Sequence, residues 1–165
     1  LRPGGSFVFS SRNRLFNLIS MNNFTLQELE SGNLDALIVE AVKWNLANDI
    51  IDIRDIDCAN FQPPETKHEG TGIDVTTRLQ YSPFQLISLM NKKNMQTIEV
   101  YPVHIHGITP SFCGSHPEIH VPFANLLQTH ADHNTQLLTH ASTFMMHVKK
   151  KEKRYGGEYN FNMDK

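Results

Sequence analysis

Leu1-Arg2-Pro3-Gly4-Gly5-Ser6-Phe7-Val8-Phe9-Ser10-Ser11 opens the chain and decides how the rest is read. Pro3 fixes its own φ, and the two glycines let the backbone turn where a Cβ would clash. Phe7, Val8 and Phe9 are consecutive and apolar. They predict a strand over 6–11 with both faces covered, as for a parallel strand between helix layers. A turn that leads directly into such a strand also predicts that its sheet neighbours belong to polypeptide preceding Leu1.

Beyond this strand the pattern changes to helical. A short turn is expected at 15–19. Thr25-x-x-Glu28 reads as a capping box that starts a helix, and Ser31-Gly32 ends it. Asn33 can cap a second helix over 34–48, where Leu34, Leu37, Ile38, Ala41, Val42 and Leu46 recur at three- and four-residue steps. Trp44 lies beside Lys43 and Asn45, on the polar-leaning side of that helix, and reads as a packing residue at a helix junction. The stretch 50–77 is polar and broken by Pro63-Pro64, Gly70 and Gly72, so it reads as a long solvated loop. Ser82-Pro83 opens another helix with a good N-cap and a proline suited to the first helical position. Asn91-Lys92-Lys93-Asn94 closes it, with Asn94 able to take the left-handed cap. Strands follow at 97–106 and 141–149, with a helix near 121–130 between them. Pro102 places the first of these strands at a sheet edge or at a bulge. Residues 151–165 read as a flexible tail.

The 165 residues carry a net charge of −2 with histidine neutral, which gives no electrostatic reason to expect nucleic acid as a partner. The basic run Lys149-Lys150-Lys151-Glu152-Lys153-Arg154 reads as a solvated strand exit. No stretch approaches the ~20 apolar residues of a membrane span, and residues 1–20 lack the apolar core of a secretory signal. A cytoplasmic location is expected. Cys58 and Cys113 are far apart and read as separate reduced thiols.

The order of elements carries a resemblance. Leu-Arg-Pro-Gly-Gly, an apolar strand and then Ser-x-x-Asn resembles the fifth-strand region of class I S-adenosylmethionine-dependent methyltransferases. Thr77-Arg78-Leu79-Gln80-Tyr81-Ser82-Pro83-Phe84-Gln85-Leu86 resembles the opening of that family's last large helix. The strands 97–106 and 141–149 are similar to its terminal antiparallel pair, the sixth and seventh strands. The resemblance covers residues 1–150. It implies an α/β fold: the C-terminal half of a Rossmann-like sheet, with one parallel-type strand, an antiparallel terminal pair and a helical insertion over about 15–80. The family's glycine-rich cofactor loop has no counterpart here, since Gly70-Thr71-Gly72 has no strand before it and no helix after it. The resemblance therefore implies the substrate-facing part of an enzyme that transfers a methyl group from S-adenosylmethionine to a small-molecule acceptor, with the donor's main binding loop outside this chain.

Ligands of open α/β sheets sit beyond the carboxyl ends of the parallel strands. Ser11, Arg12, Asn13 and Arg14 follow the first strand and are the candidate substrate-binding residues. His104 and His106 are two apart on a strand, share a face there, and are the candidate bases for an acceptor hydroxyl or amine. The nine histidines also invite a metal test. His104-x-His106, His116-x3-His120 and His130-x2-His133 lack a carboxylate or cysteine motif, and Pro117 interrupts the second pair, so no metal site is expected. Two other readings compete: a histidine-based metal-binding module or hydrolase, and a non-catalytic interaction fragment that self-associates through an open sheet edge.

Overall fold

The computed structural model describes residues 1–47, 78–132 and 134–152, with a short strand at 65–66. The expected loop over 50–77 lies almost wholly outside the described residues, as do Cys58, His133 and the expected tail from 153 onward.

The fold is mixed α/β, a three-stranded antiparallel sheet with several helices. Strand β1 is Ser6–Arg12. It is preceded by the expected turn: Gly4 has φ +75°, and the Gly5 N–H donates to Arg2 O at 3.0 Å. A proline followed by a left-handed glycine suits a type II turn. A 3-10 helix follows at Arg14–Leu18, then α1 at Asn23–Glu30 and α2 at Leu34–Leu46. Strands β2 (Glu65–Thr66) and β3 (Arg78–Leu79) pair as a small ribbon. Helix α3 is Pro83–Lys92, β4 is Met95–Ile105, α4 is Pro110–Cys113 and α5 is Pro117–Thr129. A second 3-10 helix at Thr135–His140 leads into β5, Ala141–Lys150.

The sheet order is β1-β5-β4, and β5 is antiparallel to both neighbours. Strands β1 and β4 therefore run parallel to each other with the reversed β5 between them. Arg12 and Val103 both stand opposite Thr143, so the carboxyl ends of β1 and β4 lie level at one end of the sheet.

One expectation for β1 fails. It pairs on one side only among the described residues, and Phe7 and Val8 are 37% and 54% exposed. Val8 lies on the sheet face away from the core, while Phe7 shares the core face with Val148 but sits on the outer strand, at the margin of that core. Phe144, Met146 and Val148 of β5 and Val100 of β4 point into the core with Leu15, Leu37, Trp44, Phe84, Ile87 and Leu138. Phe9 packs at the margin of this core and stacks on Phe7 with ring centres 5.4 Å apart. Met145, on the opposite face of β5, is 37% exposed.

Local chemistry explains the helix boundaries. Ser82 accepts the Gln85 N–H and the Gln85 side chain accepts the Ser82 N–H, with Pro83 in the first turn. Asn94 has φ +57°, the left-handed closure expected of it. Helix α1 departs from expectation: Asn22 is its N-cap and Thr25 is the reciprocal partner, so Thr25 does not start the helix. Glu28 is thereby free for a buried ion pair. Helix α2 turns its Leu37, Glu40 and Trp44 inward and leaves Ile38, Val42 and Leu46 exposed. The Trp44 indole N–H donates to Glu40 Oε1 at 3.2 Å, and the Phe84 N–H at the start of α3 donates to the same oxygen at 2.9 Å. That second bond satisfies an orphan helix donor and explains why Trp44 faces the core. No described helix is long and apolar enough to cross a membrane.

Candidate functional site

The level carboxyl ends of β1 and β4 define one end of the molecule. At β1, Ser11 is half-buried and its hydroxyl donates to Arg12 O at 3.1 Å, while Arg12 is exposed. Asn13 turns inward. Its Nδ2 donates to Leu138 O at 2.6 Å and to Ala141 O at 2.8 Å, and its Oδ1 accepts the Leu15 N–H at 3.0 Å. The Arg14 N–H donates to Tyr81 O at 3.1 Å. The Arg14 guanidinium binds both Glu28 oxygens at 2.7 Å in a fully buried pair. Asn17 Nδ2 bridges Glu28 and Gln80, each at 2.9 Å. The four proposed substrate contacts thus divide. Ser11 and Arg12 stay accessible, whereas Asn13 and Arg14 anchor the chain after β1 to β5, α1 and the lead-in to α3.

At the end of β4 the two histidines also part. His104 is exposed and has φ +53°, a conformation that interrupts the pleat, so the shared face expected from two-residue spacing is lost. Ser142 Oγ donates to the His104 carbonyl at 3.2 Å. His106 is half-buried. Its backbone N–H donates to His140 O at 2.9 Å, and its ring lies 4.6 Å, centre to centre, from Phe16.

His106 meets two residues that sequence spacing did not join. Cys113 closes α4, and its Sγ is 3.7 Å from His106 Nδ1 and 3.3 Å from His120 Nδ1. One ligating atom from each residue lies within 4.8 Å of the others. Pro117 does not separate His116 from the helix, because it occupies the first turn of α5, where a proline N–H is not needed. His116 caps α5 and faces Glu118 at 3.3 Å, while His120 one turn later faces Cys113. The signal present in the sequence is the even spacing His106-x6-Cys113-x6-His120. It becomes meaningful only once α4 and α5 fold back across the end of β4.

Burial shifts two members of the cluster toward their neutral forms. Burial pushes the Cys113 thiol up. Burial, then the neighbouring His120 and His104, push His106 down. A nucleophilic cysteine needs the reverse, a stabilised thiolate beside a protonated imidazole.

A separate apolar groove of about 540 Å³ runs between α2 and the segment from Leu18 to Thr25, lined chiefly by Leu18, Met21, Leu34, Ile38, Val42 and Leu46.

No protein-family model matches the chain, and no curated protein matches it.

Proposed function

We propose that this chain is the acceptor-facing part of an S-adenosylmethionine-dependent methyltransferase of the class I type. The observation that supports the reading is the sheet itself. Strand β1 runs parallel to β4 with a reversed terminal strand between them, and the outer edge of β1 is unpaired among the described residues. This agrees with the mapping of β1, β4 and β5 onto the fifth, sixth and seventh strands. A parallel neighbour on the outer edge of β1 would continue the sheet toward a donor-binding half.

The described residues do not fit the methyl donor by themselves. No glycine-rich loop joins a strand to a helix among them, and Asn13 and Arg14, which follow β1, are spent on internal bonds. In this reading the donor is held by polypeptide paired to β1, and this chain positions the acceptor. Arg12 offers a guanidinium suited to an anionic group. His104 offers an exposed imidazole to take a proton, while His106 is engaged with Cys113. The groove beside α2 suits a small molecule with an apolar body.

The coding sequence upstream of Leu1, expressed as one frame with this chain, tests the proposal. The expected product contains a glycine-rich strand-to-helix loop and passes labelled methyl from S-adenosylmethionine to a component of a small-metabolite extract. A frame without such a loop, whose product binds no S-adenosylmethionine, overturns it.

A further inference from the structure

We propose that His106, Cys113 and His120 form a binding site for one divalent transition-metal ion of the zinc type. The ion would be held by two imidazole nitrogens and one thiolate, with a fourth position open to water or another ligand. The inference does not depend on the methyl-transfer reading.

Three observations carry it. The first is geometry. Zinc bonds of about 2.3 Å to sulfur and 2.0–2.1 Å to nitrogen, at a tetrahedral angle, place S and N about 3.5 Å apart. The observed Sγ···Nδ1 separations are 3.7 and 3.3 Å. The second is the donor set. Thiolate and imidazole together select zinc and its softer neighbours over magnesium and calcium, which prefer oxygen. The third is packing. Helix α5 has no buried residue, and its Ile119, Val121 and Leu126 are all more than half exposed. A helix with so little core contact gains most from a ligand that ties it to the sheet, because binding energy at a site formed only on folding is folding energy.

The supports are in place before any ion arrives. His106 is fixed through its backbone bond to His140 and its ring contact with Phe16. Cys113 Sγ lies 3.4 Å from Ile108 O and 3.3 Å from Thr109 O, so the thiol proton has carbonyl acceptors in the free protein. On binding, the S–H bond breaks, its proton passes to solvent and the sulfur electron pair goes to the metal.

The test uses the full untagged chain, stripped with a chelator and titrated with Co²⁺ and then Zn²⁺. We expect a saturable near-ultraviolet thiolate-to-cobalt band at one equivalent, the visible bands of tetrahedral cobalt, displacement by Zn²⁺ and a rise in melting temperature. Cys113→Ser should abolish the charge-transfer band. His106→Ala and His120→Ala should each weaken binding by more than about 100-fold, beyond the roughly 10–100-fold that loss of an outer-shell group costs. His116→Ala and Cys58→Ser should bind as the parent does. Absence of the band in the parent, or a band that survives Cys113→Ser and vanishes in Cys58→Ser, overturns the proposal. If a ligand variant does not fold, zinc-edge X-ray absorption on the parent decides. A shell with one sulfur and histidine nitrogens supports the site, and a shell of oxygen and nitrogen alone overturns it.

Discussion

Arg14 and Glu28 face each other through two parallel hydrogen bonds of 2.7 Å, with side chains 0% and 1% exposed. The pair joins the segment after β1 to α1, and Asn17 extends it to Gln80. A charge pair this deep draws on geometry more than on Coulomb gain, since both ions lose their water.

Removing one partner strands the other. Glu28→Ala is expected to destabilise the fold by about 3–5 kcal/mol in urea unfolding. The double replacement Arg14→Met with Glu28→Leu should recover most of that loss. A single-mutant cost below about 1 kcal/mol would show that the pair is solvated.

Glu40 makes stability depend on pH. Burial raises its carboxyl from 4.5 to about 7, against the lowering effect of its bonds to Ser82, Phe84 and Trp44 and of Arg14. Between these values the folded protein holds a proton that the unfolded chain has released. The stabilisation is complete below about 4.5 and is lost as pH rises through about 7, with a size of order 3 kcal/mol. Glu40→Gln keeps an acceptor for the Phe84 N–H and should flatten this part of the melting-temperature profile. An unchanged slope would place the titrating group elsewhere.

Gly107 lets α5 approach the end of β4. A Cβ there would lie 2.8 Å from Phe123 Cβ and Cδ1. Gly107→Ala should cost about 1–3 kcal/mol, the usual range for overpacking, and should weaken cobalt binding by drawing His120 away from Cys113. Cobalt affinity equal to the parent's would mean that α5 shifts without moving its first turns.

His104 holds φ +53° without being glycine. His104→Gly should therefore fold at least as stably as the parent, whereas His104→Val should lose about 1–3 kcal/mol, because a β-branched side chain resists the left-handed region. Thermal melts of the two variants side by side measure the difference.

Much of the scaffold was legible in residue pattern. Ser82-Pro83 and Asn94 bracket α3 as their local chemistry requires, and Pro102 lies in an edge strand. Other features depend on partners far away in sequence. Thr25-x-x-Glu28 satisfies the capping-box pattern, but Asn22 caps α1 and Glu28 goes to Arg14. The apolar stripe of α2 is split because Glu40 is needed at the start of α3 and brings Trp44 inward with it. Asn13 and Arg14 looked available because nothing local to them names Leu138, Ala141 or Glu28. The His106–Cys113–His120 cluster was hidden for a similar reason. Its members lie just past β4, at the end of α4 and in α5, and Pro117 read as an interruption, so the expected helix began near 121, after His120.

The two rims of the sheet are unequal. Strand β4 carries Pro102, a register shift between Thr97 and Glu99, and the kink at His104, all features that discourage another chain from zipping alongside. Strand β1 has no such interruption from Ser6 to Ser11. Any strand that pairs with β1, such as one from the donor-holding polypeptide, would consume the one uninterrupted rim this sheet has among the described residues. Pairing there would therefore stop at one partner instead of propagating into a fibre.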